Sequence, residues 1–141
     1  NPLKLNKKKA MDITTQYIDS MNIKTPSAKR MIGQLSGGNQ QKALVARWLM
    51  CGPDIILVEE PTRGIDVRAK AEIYKIFSEF CKAGKAIVVV SSESPELIGI
   101  CNHILVMYDG KIAARLDGNH TSEAKIAYYT VQDTGGNDDG Q

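Results

Sequence analysis

Cysteine pairs, an excess of one charge and a membrane-length apolar run are all missing from this chain, and aromatics are scarce at 6%. The 3 cysteines, Cys51, Cys81 and Cys101, are odd in number and far apart. They make neither a disulfide framework nor a metal spacing, so a reducing cytosol is the expected setting. His103 and His120 stand alone and read as ordinary surface or core-edge residues. A formal net charge of +2 gives no case for nucleic acid or an anionic membrane surface as partner. No apolar run approaches the roughly 18 residues that a membrane span requires. The opening residues show no secretory signal, so the Asn119-His120-Thr121 sequon carries no meaning for glycosylation. The first residue is Asn1 rather than methionine, which makes a fragment or a processed chain the expectation.

What is present is ordinary in bulk and unusual in one stretch. The 141 residues, 43% hydrophobic and 24% charged, suit one globular domain at most, with enough chain to bury a core. From Gln34 to Asp66 the pattern reads as loop, helix, turn, buried strand and acidic turn. Ser36-Gly37-Gly38 lets backbone approach a ligand, since glycine has no Cβ. A helix starting near Asn39 would aim free N–H groups and its positive end at that loop, which suits phosphate. On its own, a Ser-Gly-Gly loop before a helix is usually just a capped turn. The carboxylates Glu59 and Glu60 follow Ile55-Ile56-Leu57-Val58, at a strand's carboxyl end, where open α/β sheets bind ligands. There one acid can hold a hydrated Mg²⁺ while the other orients a water. A lone acidic pair is more often a solvated turn.

The rest of the chain alternates helices and strands. Ala10, Ile13, Tyr17, Ile18 and Met21 predict an amphipathic helix from about Lys7 to Met21, stopped by Thr25-Pro26-Ser27. The lysines before it (Lys4, Lys7, Lys8, Lys9) read as a solvated face. Ala43, Ala46, Leu49 and Met50 are the expected core face of the next helix, with Trp48 as a packing residue and Gly52-Pro53 as its stop. Asp66 caps a third helix, with Ala69, Ile73, Ile76, Phe77 and Phe80 as its buried stripe and Gly84 at its end. Ala86 to Val90 reads as a strand buried on both faces. Ser94-Pro95-Glu96 starts a short helix, Asp109-Gly110 turns a hairpin between 104–108 and 111–116, and Thr121 opens a last helix. The tail from Thr134 is expected to be disordered. This order predicts an α/β fold with a largely parallel sheet.

The residues from about Asn6 to about Tyr129 resemble the nucleotide-binding domain of ABC transporters. Leu35-Ser36-Gly37-Gly38-Asn39-Gln40 is similar to the signature loop, Ile55 to Glu60 to the Walker B strand, and Gly64-Ile65-Asp66 to the D-loop. The wording Asn39-Gln40-Gln41-Lys42, Glu60 to Val67 and Ser91-Ser92-Glu93 resembles the second of two cassettes in monosaccharide importers of the ribose, galactose, xylose and arabinose type. A Gly-x-x-x-x-Gly-Lys-Ser/Thr loop is missing. The only Gly-Lys pairs, Gly84-Lys85 and Gly110-Lys111, lack the upstream glycine and the following hydroxyl. The glutamine-bearing loop that the family places earlier is also absent. The resemblance therefore implies the carboxyl-terminal half of one cassette: an incomplete P-loop NTPase core of the RecA-like, ABC type, with a C-terminal hairpin and part of a helical subdomain. It divides the chain into the end of that subdomain (1–33), the half-core (34–130) and a tail (131–141).

Roles follow from the resemblance. Cassettes pair head to tail, so Ser36, Gly37, Gly38 and Gln40 would contact ATP held by a partner cassette, and Asp66 would contact that cassette. Glu59 as metal ligand, Glu60 as general base and Ser92 at the switch-histidine position would belong to the opposite site. That site is degenerate. Glu59 stands where the family carries Asp, and the extra methylene moves the carboxylate by about 1 Å, enough to disturb a near-octahedral Mg²⁺ shell. Serine at 92 cannot take a proton as imidazole does. The resemblance thus implies a subunit of a sugar importer, peripheral on the inner face of the plasma membrane, working with ATP, Mg²⁺, a second cassette and transmembrane permease subunits. Its parent couples ATP hydrolysis to import, while this chain alone is not expected to turn over ATP. The alternatives are a non-transport ABC-type ATPase fragment or a small metal-dependent phosphohydrolase built on Glu59 and Glu60. In the family the strand leading to the phosphate loop lies between the strands at 86–90 and 104–108. Its absence leaves three expectations: closure of the neighbours, a gap filled by another copy, or poor folding alone. Unpaired edges favour self-association.

Overall fold

The computed structural model describes residues 6–131, so the predicted disorder from Thr134 and the basic Lys4 lie outside the described residues. The chain divides into two compact units, Asn1–Val88 and Val89–Gln141.

In the first unit, α1 (Lys7–Ser20) is opened by Asn6, whose side chain accepts from the Lys9 N–H at 3.0 Å. It ends at Ser20 with Met21 as C-cap, where the apolar spacing predicted, ahead of Thr25-Pro26-Ser27. Asn22 takes a left-handed conformation (φ 49°), Ile23 N–H returns to the Ile18 carbonyl at 2.9 Å and Asn22 N–H to Asp19 at 3.1 Å. That is a Schellman ending, with asparagine in the position glycine usually fills. A short 3₁₀ turn at Ile32–Gln34 leads to α2 (Gly37–Leu49). α2 starts two residues before the expected Asn39, so Gly37 and Gly38 are its first turn and not an open loop. Its buried residues are Gly38, Lys42, Val45 and Ala46. Met50 and Trp48, expected inside, are 44% and 54% exposed, and the Arg47 guanidinium lies over the Trp48 ring. Left-handed Gly52 (φ 64°) turns the chain into β1 (Ile55–Glu59).

From β1 the chain passes through α3 (Val67–Lys82) to β2 (Ala86–Val90), and β1 and β2 pair in a two-stranded parallel sheet. A parallel pair needs such a crossover. The boundary between the units runs through β2. Asp66 caps α3 by accepting from the Ala69 N–H at 3.0 Å, and Gly84 (φ 79°) ends it. Of its predicted stripe, Ala69, Ile73 and Phe77 are buried, while Ile76 and Phe80 are half-buried. Lys85 and Asp54 form an ion pair where the two strands begin. Their faces correct the sequence expectation of double burial. Ile56 is buried, whereas Ile55 and Leu57 are 65% and 71% exposed and Val88 and Val90 about half exposed. Only one face of this pair is covered by the described chain.

In the second unit, α4 (Ser94–Ile100) precedes the antiparallel hairpin of β3 (His103–Tyr108) and β4 (Lys111–Asp117), and α5 (Glu123–Tyr129) closes it. Asp109 (φ 46°) and Gly110 (φ 75°) give both turn residues the positive φ that a type I′ hairpin demands. The register shifts between Val106 and Met107: Val106 faces Ala114 and Met107 faces Ile112. Ala113 is the extra residue of this bulge, which leaves Ala113 and Ala114 both buried. The core joins Ile104, Val106, Ala113, Ala114 and Leu116 to Ile126 and Tyr129 of α5, with Leu97, Ile98 and Cys101 against it. Ser122, not Thr121, caps α5, accepting from the Lys125 N–H at 3.3 Å. β2 and β3 belong to separate two-stranded sheets, so closure of those neighbours into one sheet, the first of the three alternatives, is not seen among the described residues.

Candidate functional site

Ser36 occupies the N-cap of α2, exposed, in extended conformation (φ −61°, ψ 153°), and its side chain caps no helical N–H. An N-cap serine ordinarily spends its oxygen on the N–H of the second or third helical residue. Here that hydroxyl instead accepts from the Asn39 side-chain NH₂ at 2.8 Å. The first turn of α2 contains no acidic residue, so the positive end of the helix dipole is not offset locally.

The two glycines differ in purpose. A Cβ on exposed Gly37 would meet Ile65 Cγ2 at 3.6 Å and the Gly64 carbonyl at 4.0 Å, ordinary contact distances. Gly37 therefore lies against the Gly64-Ile65 turn. A Cβ on Gly38 would sit 2.5 Å from the Ala69 Cβ. Gly38 is buried against the start of α3, so its missing side chain serves helix packing. Gly38 thus has a packing reason for lacking a side chain, separate from what its backbone meets. Gln40 is likewise turned back: its Nε2 donates to the Leu35 carbonyl at 2.8 Å, committing its NH₂ group to the bend that carries Ser36.

The carboxylates stand where β1 ends. Glu59 is its last residue and exposed. Glu60 follows, half-buried, with φ 45°. A glutamate in left-handed backbone costs on the order of 1–3 kcal/mol, and such strain clusters at functional positions. The turn after it is held by the Arg63 N–H to the Glu60 carbonyl at 3.2 Å, and by Thr62, which is 0% exposed with its hydroxyl 3.5 Å from the Tyr74 OH. Asp66 is exposed, with Oδ1 engaged in capping α3. Among the described residues no three His, Cys, Asp or Glu side chains converge. The residues present thus do not fit a metal cage by themselves, and Glu59 contributes one exposed carboxylate.

Ser92 belongs to the second unit. It is exposed between β2 and α4, while its neighbour Ser91 donates to the buried Glu96 Oε2 at 2.6 Å and accepts from the Glu93 N–H at 3.1 Å. That pair of bonds fixes the segment on which Ser92 sits.

Two residues of the site carried no role in the sequence reading. Asn39 is the partner of Ser36. Lys42, only 2% exposed, puts its ammonium on the Glu72 Oε2 at 2.7 Å and on the Asn22 carbonyl. The Lys42 hydrogen bond is the main reason the Glu72 carboxyl is held below its ordinary range. A lysine among Ala43, Val45 and Ala46, with an acid on a following helix, is the one sequence signal that could have exposed this contact.

Comparison with known proteins follows the same lines. The ABC transporter family model matches residues 3–63. The ribose import ATP-binding protein RbsA of Clostridium tetani is 47% identical over 128 residues, covering 91% of this chain and 25% of that protein. The galactose/methyl galactoside import ATP-binding protein MglA of Haemophilus influenzae is 51% identical over 126 residues, covering 89% and 25%. The chain therefore spans about a quarter of the length of these curated relatives. Among solved structures, the dimeric bacterial ABC transporter cassette MJ0796 superposes with a TM-score of 0.71 at 23% identity, over 84% of this chain and 51% of that one. A post-hydrolysis dimer of that cassette is bound to ADP and Pi. An ABC transporter in an inward-facing conformation gives a TM-score of 0.78 at 20% identity, over 93% and 52%. At these identities the structural likeness shows the fold alone, that of about half of an ABC transporter cassette.

Proposed function

We propose, from the ABC transporter family match over residues 3–63 and from the similarity to sugar-import ATP-binding proteins, that this chain is the carboxyl-terminal half of the second cassette in the ATP-binding subunit of a monosaccharide importer. In this reading residues 1–33 end a helical subdomain, 34–130 form the half-core and 131–141 are a tail. Its work is to offer the signature turn to ATP held by a partner cassette, while its parent couples hydrolysis to import through permease subunits. The parent sits peripherally on the cytoplasmic face. No described helix is long and apolar enough to cross a membrane.

The observation that carries the reading is the exposed Ser36 hydroxyl, withheld from capping, at the positive end of α2. A hydroxyl and unoffset helix N–H groups complement a phosphate oxygen, through charge-assisted hydrogen bonds about twice as strong as neutral ones. Gly37 supports the surface without a side chain to obstruct it. Gln40 braces the bend through the Leu35 carbonyl. Asp66, exposed beside this turn, is the contact offered to the facing cassette. In this reading Glu60 is the general-base position and Glu59 the metal-side carboxylate of the opposite, degenerate site, and Ser92, in the second unit, holds the sequence position of the switch histidine. Mg²⁺ would accompany ATP with ligands from elsewhere in the assembly.

The test uses the full-length parent with its membrane partners. Ser36→Ala is expected to lower ATP turnover about tenfold or more, since a hydrogen bond to a charged group is lost. Glu60→Gln is expected to lower it much less. Equal losses would count against the assignment.

A further inference from the structure

We propose that Asn39 is a positioning residue for Ser36, fixing which way the serine proton points; this rests on the reading that Ser36 meets phosphate. Chemistry fixes the orientation of the Asn39 amide. The Lys24 backbone N–H lies 2.8 Å from Oδ1, and a backbone N–H can only donate, so oxygen must be at that end. The other end is therefore the NH₂ group, which lies 2.8 Å from Ser36 Oγ and can only donate. Ser36 Oγ is thus an acceptor toward Asn39 and keeps its own hydrogen for another partner. An exposed hydroxyl with an uncommitted proton has the polarity an anionic oxygen requires.

Without Asn39 the default is different. Asn39 is the third helical residue of α2, and its backbone N–H is the usual target of an N-cap serine. Removing the amide frees Ser36 to turn inward and cap, drawing the hydroxyl away from the surface. What holds Asn39 in turn is the exit of α1. Lys24 grips Oδ1, and two residues earlier the Asn22 carbonyl accepts from the buried Lys42 ammonium, which also bonds Glu72. Asn39 and Lys42 are three residues apart on α2, hence on one face. The segment 22–24 is therefore tied to α2 at both ends, and the Ser36 hydroxyl is set by a brace that starts at the end of α1.

A double-mutant cycle in the full-length parent with its partners tests this. Asn39→Ala is expected to lower ATP turnover about tenfold, and the Ser36→Ala, Asn39→Ala double variant to be no slower than Ser36→Ala alone. Should Asn39→Ala lower the thermal midpoint, turnover of all three variants is read at a temperature where circular dichroism shows each of them folded, which confines the cycle to the folded state. Losses that multiply, or an Asn39→Ala variant with unchanged turnover beside a slow Ser36→Ala, would overturn the positioning role and leave the signature assignment standing. Ser36→Ala without effect would overturn both.

Discussion

At the scale of single residues, adjacent glycines are required for different reasons. Gly38 has no room for a methyl group because the Ala69 Cβ would lie 2.5 Å away, whereas Gly37 has ordinary contact space. Gly38→Ala is expected to cost about 1–3 kcal/mol through overpacking, and Gly37→Ala much less, as read from urea unfolding midpoints. The Lys42–Glu72 pair makes a prediction for pH. The folded Glu72 carboxyl is held below its ordinary value of 4.5, first by the Lys42 hydrogen bond. A lowered folded value means that the contribution to stability is complete above pH 4.5 and is lost as pH falls through the folded value. Denaturation midpoints measured from about pH 6 to about pH 3.5 should fall less steeply for Glu72→Gln than for the parent sequence. A steeper or unchanged slope would remove Glu72 as the source.

At the scale of elements, local chemistry sets the ends and tertiary contact sets the faces. The hairpin turn at Asp109-Gly110, the Asp66 cap and the Gly84 stop were all legible because each depends on two or three adjacent residues. The bulge at Ala113 was not, since nothing in an Ala-Ala pair announces which residue is extra. Gly118 gives the sharpest test at this scale. It follows β4, its N–H donates to the Asn102 carbonyl at 2.8 Å, and a Cβ there would lie 1.9 Å from the Cys101 carbonyl oxygen. Backbone cannot yield as a flexible side chain can. Gly118→Ala should therefore lower the thermal midpoint of the chain by several degrees, corresponding to at least about 1–3 kcal/mol. A midpoint within a degree of the parent's would contradict the packing between the end of α4 and the end of β4.

At the scale of the whole molecule, the uncovered side of the β1–β2 pair is the dominant fact. Ile55, Leu57, Val88 and Val90 present aliphatic side chains to solvent, and among the described residues no third strand pairs with this sheet. The isolated chain is expected to self-associate, as seen by light scattering at micromolar concentration, and Leu57→Lys with Val88→Lys should shift it toward monomer. A clean monomer for the unmodified chain would end that expectation.

The sequence by itself determined the order of helices and strands, the Asp66 cap, the Gly84 stop and the Asp109-Gly110 turn, and the wording around Ser36 and Glu60 that resembles an ABC cassette, because those signals act over a few neighbouring residues. Only the tertiary structure decided the rest. It turned Gly38 against Ala69, left half of an apolar strand pair uncovered, and joined Lys24, Asn39 and Ser36 through one amide. Those outcomes depend on which surfaces distant segments bring together, and a hydrogen bond across fifteen residues leaves no periodicity to read.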